Sequence, residues 1–329
     1  MDGDYVRFVR NENYWGEQPY YDEVIVKYIP DASARLQALQ SGEIDLIYGS
    51  ALLTWDDYQQ ATSLPNIAGA GAESDSKTRN LVLNASGVLS DLKVREAVAY
   101  AIDKETLSEG LTYGEETPAD HLFPDGIPYT DVELNVVRTY DPEKANTLLD
   151  EAGWKDSDGD GIRDKDGTPL ELTMLYTSDY GSIGDGMLAI ASQLGKVGFK
   201  VNVSDMDMMT YYEASMNGEY DIIHYRTYGG SFDPFTVVTN MDPTVSADPV
   251  AVQFAEFLPE GIVSELDCSA DESRISEIYN TILTTIPDEA LCVPFANTVE
   301  LAAWNSVKIN GYEFCSDSQY VEVSGLDLK

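Results

Sequence analysis

The sequence predicts an α/β protein of two domains, and three observations lead to this prediction. The 329 residues are enough to bury a large core and suggest two domains. Hydrophobic residues make up 43% of the chain, as in globular proteins, and no uninterrupted run of about 18 apolar residues is present. Strands and helices alternate between residues 170 and 225, which predicts a parallel or mixed sheet with helices on both faces.

The N-terminal part of the chain predicts a hairpin, a short helix and a strand. Residues 5–10 and 24–29 alternate between apolar and polar side chains, which is the pattern of two paired strands. Asp31 is suited to cap a helix that Gly42 ends, because glycine tolerates the left-handed backbone of a helix C-terminus. Residues 43–48 follow as a strand.

The stretch 80–104 predicts a buried strand that leads into a buried helix. Residues 81–83 form a short apolar run, and Asp91 is suited to cap the helix that follows. Apolar side chains recur at spacings of three and four along this helix, which predicts one continuous buried stripe. The stripe consists of Val94, Ala97, Val98, Ala101 and Ile102.

The second half of the chain predicts more helices with clear start signals. Asp141 and Pro142 stand at the cap and first position of one helix. Ser269 opens a capping-box pattern for another helix that ends near Ile286. Between them we expect strands at 170–176, 199–203 and 220–225 and helices at 185–197 and 208–216.

Acidic residues dominate the charge of the chain. Asp and Glu number 58 against 20 Lys and Arg, a net charge of −38, which disfavours nucleic acid and anionic membranes as direct partners. The cysteines are Cys268, Cys292 and Cys315, with no C-x-x-C pair, so a zinc cage or redox pair is not expected. We expect free thiols, with Cys292–Cys315 as the only disulfide considered.

Residues suited to catalysis are scarce. His121 and His224 are the only histidines, and G-x-S-x-G, H-E-x-x-H and G-x-x-x-x-G-K-[ST] are all absent. We therefore expect no enzyme activity. An extracellular hydrolase acting on peptides or sugars stays an alternative, because carboxylates that could pair at an active site are plentiful.

Residues 156–164 have the D-x-D-x-D-G-x-x-D rhythm of a calcium loop, in which oxygen ligands surround a hard cation. The candidate ligands are Asp156, Asp158, Asp160, Ile162 and Asp164. The twelfth position is Gly167 and not the glutamate of an EF-hand, so a weak calcium site and a solvated acidic turn are both open. A calcium-dependent adhesion or scaffold domain is a further alternative.

Five motifs resemble, in order, those of family 5 extracellular solute-binding proteins, the receptors of ABC importers for peptides, nickel and related solutes. D-L-K-V-R-E-A-V-A-Y-A-I-D-K at 91–104 is similar to D-x-x-V-R-x-A-x-x-Y-A-I-D-[KR]. R-N-E-N-Y-W-G-E at 10–17, S-G-E-I-D-L-I-Y-G at 41–49 and Y-D-P-E-K-A-N-T-L-L-D-E-A-G-W at 140–154 match as well. R-T-Y-G-G-S-F-D-P at 226–234 resembles R-T-W-G-x-x-Y-D-P of the nickel-binding members.

The resemblance implies a two-lobed periplasmic-binding-protein-like fold (type II, cluster C). Residues 1–84 with 294–329 would form the first lobe and 85–293 the second, joined by the strand near residue 83 and one at 291–295. Family members begin well upstream of the first hairpin, so we expect the first lobe to be incomplete here.

The resemblance also implies the function. A small solute, such as a nickel chelate or a dipeptide, is captured in the cleft between the lobes and delivered to an ABC permease by a monomer. No cofactor is required, although nickel can be part of the ligand. The protein would lie on the extracellular or periplasmic face, anchored through a lipoprotein signal that is missing from this sequence. With an incomplete first lobe, we expect weak or absent solute binding.

The implied solute site lies mainly around Arg226, Tyr228 and Phe232. Tyr228 and Phe232 match positions whose rings contact the nickel chelate in the resembled proteins. Ser231 stands where peptide binders carry an acidic residue, which disfavours ordinary peptides with a free amino group.

Two further residues belong to this implied site. Ser246 aligns near a histidine that some nickel binders use, so direct coordination of metal by this protein is not expected. Tyr48 precedes a loop that borders the cleft in the family, although we favour packing within its lobe as its role.

Overall fold

The computed structural model describes residues 5–16, 18, 20–72, 77–178, 183–228, 233–246, 248–315 and 320–328. Its strands are β1 (Tyr5–Val9), β2 (Glu23–Lys27), β3 (Leu46–Tyr48), β4 (Ile67–Gly71), β5 (Lys77–Leu83), β6 (Asp164–Lys165), β7 (Thr168–Pro169), β8 (Glu171–Tyr176), β9 (Lys200–Asp205), β10 (Ile222–Arg226), β11 (Cys292–Thr298), β12 (Leu301–Asn305), β13 (Ile309–Tyr312) and β14 (Leu326–Leu328).

The same described residues also form α-helices. They are α1 (Ala32–Ser41), α2 (Trp55–Thr62), α3 (Leu92–Tyr100), α4 (Lys104–Thr112), α5 (Pro142–Glu151), α6 (Gly184–Gly195), α7 (Met208–Asn217), α8 (Phe235–Thr239), α9 (Ile262–Cys268) and α10 (Glu272–Asp288). Short 3-10 helices occupy Gly87–Ser90, Ala251–Phe257 and Val323–Gly325. Within the described part of the chain, none of the helices has the length and apolar character that crossing a bilayer requires.

The chain folds into two compact units. The first comprises Met1–Ser74 with Glu300–Lys329, and the second Asp75–Val299. Both strands expected to cross between lobes, β5 and β11, therefore lie wholly within the second unit. The lobe boundaries expected at 84/85 and 293/294 stay a prediction for the whole protein.

The first unit is built on a three-stranded antiparallel sheet in the order β3-β12-β4. Strands β1 and β2 form the predicted antiparallel hairpin, with Phe8 opposite Val24. The predicted cap of α1 is confirmed, because the Asp31 side chain accepts a hydrogen bond from the Ala34 backbone amide. Gly42 ends this helix at a φ of 75°, a conformation that a Cβ would strain.

The second unit contains a five-stranded sheet in the order β11-β5-β10-β8-β9. Strands β8, β9 and β10 are parallel to each other, whereas β5 pairs antiparallel with both β10 and β11. The predicted mixed sheet is confirmed. Successive side chains of β10 point to opposite faces, so Ile222 enters one core cluster and Ile223 the other.

Helices cover both faces of this sheet, as the alternation of elements predicts. Residues of α3, α5 and α6 pack against Leu81 and Ile222 on one face. Residues of α7, α8, α9 and α10 pack against Val82 and Ile223 on the other. Every residue of β5 is buried, which fits a strand with neighbours on both edges and helices on both faces.

Helix caps follow the sequence signals, with one correction. Asp91 and Asp141 cap α3 and α5 as expected, each accepting a backbone amide hydrogen bond. Helix α10 begins two residues later than the capping box predicts: Asp271, and not Ser269, is its N-cap. One oxygen of the Asp271 carboxylate accepts from the backbone amides of Ser273 and Arg274 at 3.0 and 3.4 Å.

The three cysteines are free, as expected. Cys292 is buried and its thiol donates to the Asn80 side-chain oxygen at 3.3 Å. Cys268 is exposed and Cys315 is partly buried.

Candidate functional site

Two hydrogen bonds fix the backbone directly after the carboxyl end of β10. The Thr227 backbone amide donates to the Thr78 carbonyl at 3.1 Å. In return, the Thr78 amide donates to the Thr227 hydroxyl at 2.9 Å. Tyr228 follows directly on this doubly bonded pair. Phe232, the other aromatic residue expected to contact solute, lies outside the described residues.

Tyr228 is half-buried and its hydroxyl has two partners. It donates to Oδ2 of Asp248 at 2.6 Å, and it accepts from the side-chain amide of Asn240 at 2.9 Å. The ring of Tyr225 lies edge-on to that of Tyr228, with centroids 6.1 Å apart. The Tyr225 hydroxyl donates to the same Oδ2 of Asp248 at 3.1 Å.

Ser246 meets the same aspartate. Its hydroxyl oxygen accepts from the Asp248 backbone amide at 2.8 Å. Asp248 therefore brings together Tyr228 and Ser246, two of the residues that the sequence analysis singled out. Asp248 itself was missed, and the only local signal for it is the Asp-Pro dipeptide at 248–249, which marks a turn.

The two phenols around Asp248 stay neutral over the ordinary pH range. Burial raises the pKa of Tyr225 well above its usual value, and the Asp248 charge raises it further. The same two causes, in the same order, raise the pKa of Tyr228. Neutral phenols keep the protons that Asp248 needs as hydrogen-bond donors.

Positive charge gathers at the end of β10. Arg226 lies directly opposite Arg79 of β5, so their side chains share one face of the sheet. Arg79 is buried, and its Nε donates to Glu116 at 3.3 Å. His224 lies two residues before Arg226 on the same face.

His224 is a core residue of the second unit. Only 3% of it is exposed, and its Nε2 has no hydrogen-bond partner among the described residues. Burial, followed by the charges of Arg79 and Arg226, lowers its pKa to about 3. The imidazole is therefore neutral at physiological pH.

Tyr48 lies in the first unit, within an aromatic cluster. Its ring centroid is 5.4 Å from that of Tyr312 and 5.7 Å from that of Phe314. Burial is the main cause that raises its pKa. These contacts account for Tyr48 as a packing residue, and its role towards solute stays a prediction.

The acidic loop at 156–164 is an exposed turn held by its own carboxylates. Asp156 accepts from the backbone amides of Gly159 and Gly161 at 2.7 and 3.0 Å. Carboxylate oxygens of Asp156, Asp158 and Asp160 all lie within 4.8 Å of one another. The other two predicted ligands form different hydrogen bonds within the turn.

Asp164 and Ile162 take part in the turn itself. The Asp164 carboxylate accepts from the hydroxyl and the amide of Ser157 at 2.6 and 3.0 Å, which lowers its pKa. The Ile162 amide donates to the Asp160 carboxylate at 2.8 Å. Calcium stays a prediction: a rise in thermal stability at millimolar calcium would support it, and its absence would rule it out.

The comparison with protein families decides which class this molecule is in. Residues 2–247 match the family described as bacterial extracellular solute-binding proteins, family 5 Middle. The chain belongs to this family. The resemblance drawn from the motifs is thus confirmed, and the members of this family that the chain resembles are solute-binding transport proteins.

Two curated relatives show the range within the family. The nickel-binding periplasmic protein of Escherichia coli (strain K12) is 32% identical over 293 residues, 88% of this chain and 56% of that protein. The oligopeptide-binding protein AppA of Bacillus subtilis is 31% identical over 206 residues, 60% of this chain and 36% of that protein. The chain therefore spans about half, or less, of these relatives.

Solved structures confirm the type II periplasmic-binding-protein-like fold, of which this chain covers a part. NikA from Brucella suis, in complex with Fe(III)-EDTA, matches 99% of this chain and 66% of its own with a TM-score of 0.89 and 31% identity. AppA from Bacillus subtilis, in complex with a nonapeptide, matches with a TM-score of 0.79 and 22% identity. These relatives are named for nickel, a metal chelate or peptides, and they lend no support to calcium.

Proposed function

We propose that this solute-binding protein captures a small metal chelate that carries carboxylate groups, and holds it at the carboxyl end of β10 for delivery to an ABC permease. The observation that carries the proposal is the ring of Tyr228, which Asp248 and Asn240 hold directly after β10, the strand that ends at Arg226. It would act as a monomer outside the cell or in the periplasm, anchored to the membrane, and no bond of the solute would be broken.

The location is supported by general rules for sheets of this kind. In open α/β sheets, ligands lie beyond the carboxyl ends of the strands. Tyr228 follows the end of β10, which is the middle strand of the five. A site there is attached to the central strand of the sheet.

The charge of the site favours carboxylates on the solute. Guanidinium groups bind carboxylates through paired, charge-assisted hydrogen bonds. In a chain with a net charge of −38, two opposed arginines at one strand end are an unusual concentration of positive charge. Arg226 is the one we assign to the solute, because it is the last residue of β10 and lies two positions before Tyr228.

A chelate fits better than a bare metal ion. His224, the histidine nearest to this site in the sequence, is buried in the core. Ser246, which aligns near a histidine of some nickel binders, offers no strong ligand for nickel. The metal would then arrive already coordinated, as in the Brucella suis relative solved with Fe(III)-EDTA.

A peptide is the second candidate, favoured by the 31% identity to AppA of Bacillus subtilis. Ser231 argues against it, since peptide-binding members carry an acid there. The two solutes can be separated by direct binding measurements on the same preparation.

Equilibrium dialysis with the nickel–histidine complex and with a dipeptide tests the proposal. We expect the complex to bind more weakly than micromolar, which is less than about 8 kcal/mol of binding free energy, and the dipeptide to bind more weakly still. Arg226→Gln should lose binding of the complex. Arg274→Gln, at an exposed arginine of α10 that pairs with Glu265, is the matched control and should bind as wild type does.

Two results would contradict the proposal. One is tighter binding of the dipeptide than of the complex. The other is equal binding of the complex by wild type and Arg226→Gln.

A further inference from the structure

Asp248 divides its two carboxylate oxygens between separate tasks. Oδ2 accepts the hydroxyl protons of Tyr228 and Tyr225 at 2.6 and 3.1 Å. Oδ1 accepts from the backbone amides of Val250 and Ala251 at 2.9 and 3.1 Å, at the start of the 3-10 helix Ala251–Phe257. One side chain thus joins the loop before this helix to the strand β10.

We propose that Asp248 is the positioning residue of the solute site: it fixes the ring of Tyr228 and occupies its hydroxyl, so that Tyr228 offers the solute a ring face and no hydrogen-bond donor. This inference rests on the proposed function, which assigns the contact with solute to Tyr228. Asp248 itself acts through Tyr228.

The hydroxyl of Tyr228 has no proton left to donate to a solute. A phenol has one proton to donate and two lone pairs to accept with. The proton goes to Asp248, and one lone pair receives the amide of Asn240 at 2.9 Å. What remains for the solute is the exposed part of the ring.

This arrangement defines the chemistry of the solute group that meets Tyr228. A carboxylate needs a donor and finds none on this side chain. An apolar or aromatic part of the solute matches the ring face. The carboxylates of the chelate would then be left to Arg226, so the two residues recognise different ends of the solute.

The second tyrosine bonded to Asp248, Tyr225, is held in the sheet. Tyr225 is 6% exposed and belongs to β10, between β5 and β8. Its phenol and the phenol of Tyr228 converge on one oxygen, so a shift of Asp248 would move both rings. A site built on a central strand and locked by such contacts holds its ligand groups more precisely than a free loop does.

Asp248→Asn is the variant that separates the two tasks. An amide has one acceptor oxygen, so the side chain cannot serve both the phenols and the backbone amides of Val250 and Ala251. Fluorotyrosine at position 228, followed by fluorine NMR without solute, should show a shifted or broadened resonance in this variant. Asp242→Asn is the matched control, because Asp242 lies in the same region and bonds Thr244 and Ser264 but no tyrosine.

Binding of the nickel–histidine complex gives the second readout. Asp248→Asn should weaken it about tenfold, the loss typical of a hydrogen bond to a charged group. Tyr228→Phe, which keeps the ring and removes the hydroxyl, should weaken it to a similar extent. Because Asp248 acts through that hydroxyl, Asp248→Asn should cause no further loss in the Tyr228→Phe background.

The outcomes separate this inference from the proposed function. An unchanged Tyr228 resonance in Asp248→Asn would overturn the inference, whatever the solute does. Additive losses in the double variant would overturn it too, since Asp248 would then act independently of Tyr228. A changed resonance together with no binding of the complex by wild type would overturn the proposed function, and leave the positioning of Tyr228 by Asp248 in place.

Discussion

Arg79 and Arg226 lie directly opposite each other across the antiparallel pairing of β5 and β10. Like charges at opposed positions of a sheet destabilise it. Glu116, whose side chain is only 3% exposed, offsets this cost by accepting a hydrogen bond from Arg79. The sheet thereby keeps both guanidinium groups, that of Arg79 on β5 and that of Arg226 at the end of its middle strand β10.

Glu116→Gln should destabilise the protein markedly. The charge of Arg79 would stay buried without its carboxylate, and breaking a buried pair in this way costs about 3 kcal/mol or more. Urea unfolding of the variant and the wild type measures the difference. Glu151→Gln breaks the exposed pair with Lys93 and should change the unfolding free energy by less than about 1 kcal/mol. Equal effects of the two changes would contradict the role of Glu116.

His224 should make the protein less stable in acid. Its pKa is about 3 in the folded protein against an ordinary value of 6.5, so the unfolded chain binds more protons between these values. The unfolding free energy should therefore fall as the pH drops from 6.5 towards 3, by up to about 1.4 kcal/mol per pH unit from this residue.

His224→Gln removes the titrating group and isolates this effect. The difference in unfolding free energy between variant and wild type should change steadily in that pH window and be constant above it. Denaturant unfolding at a series of pH values gives both curves. Parallel curves throughout would show that His224 does not titrate as its burial requires.

Asp248→Asn should let Tyr228 ionise at a lower pH. Burial is the first cause of the raised pKa of Tyr228, and it remains in the variant. The negative charge of Asp248 and its hydrogen bond are the next causes, and both are lost. Fluorotyrosine at position 228, followed by fluorine NMR in an alkaline titration with Asp242→Asn as control, measures the shift. A titration curve identical to that of wild type would be inconsistent with the hydrogen bond between Tyr228 and Asp248.

Local signals in the sequence were enough to predict most helices and strands of the second unit. Asp141 with Pro142 marks the start of α5, and the spacing of apolar residues marks the buried face of α3. These features depend on contacts within a few residues, which a local pattern reflects directly. The cap of α10 was misplaced because Ser269 and Asp271 both suit that position, and only the geometry of the turn selects one.

Only part of the candidate site could be predicted from the sequence. Tyr228 and Arg226 were found through a family motif, but Asp248 lies twenty positions further on, in a loop with no periodicity. The pairing of Arg79 with Arg226 joins strands separated by nearly half the chain. Contacts of this kind follow from how the sheet assembles, which alternation and capping signals do not specify.

Paramagnetic broadening tests the central claim, capture of a metal chelate at the end of β10, most directly. Fluorotyrosine would be placed at position 228, and in a separate sample at Tyr100, which packs on the opposite face of the sheet. On addition of the nickel–histidine complex, we predict that the resonance at 228 broadens and the one at 100 does not, with no broadening from the diamagnetic zinc complex. Equal broadening at both positions, or none at 228, would contradict the account.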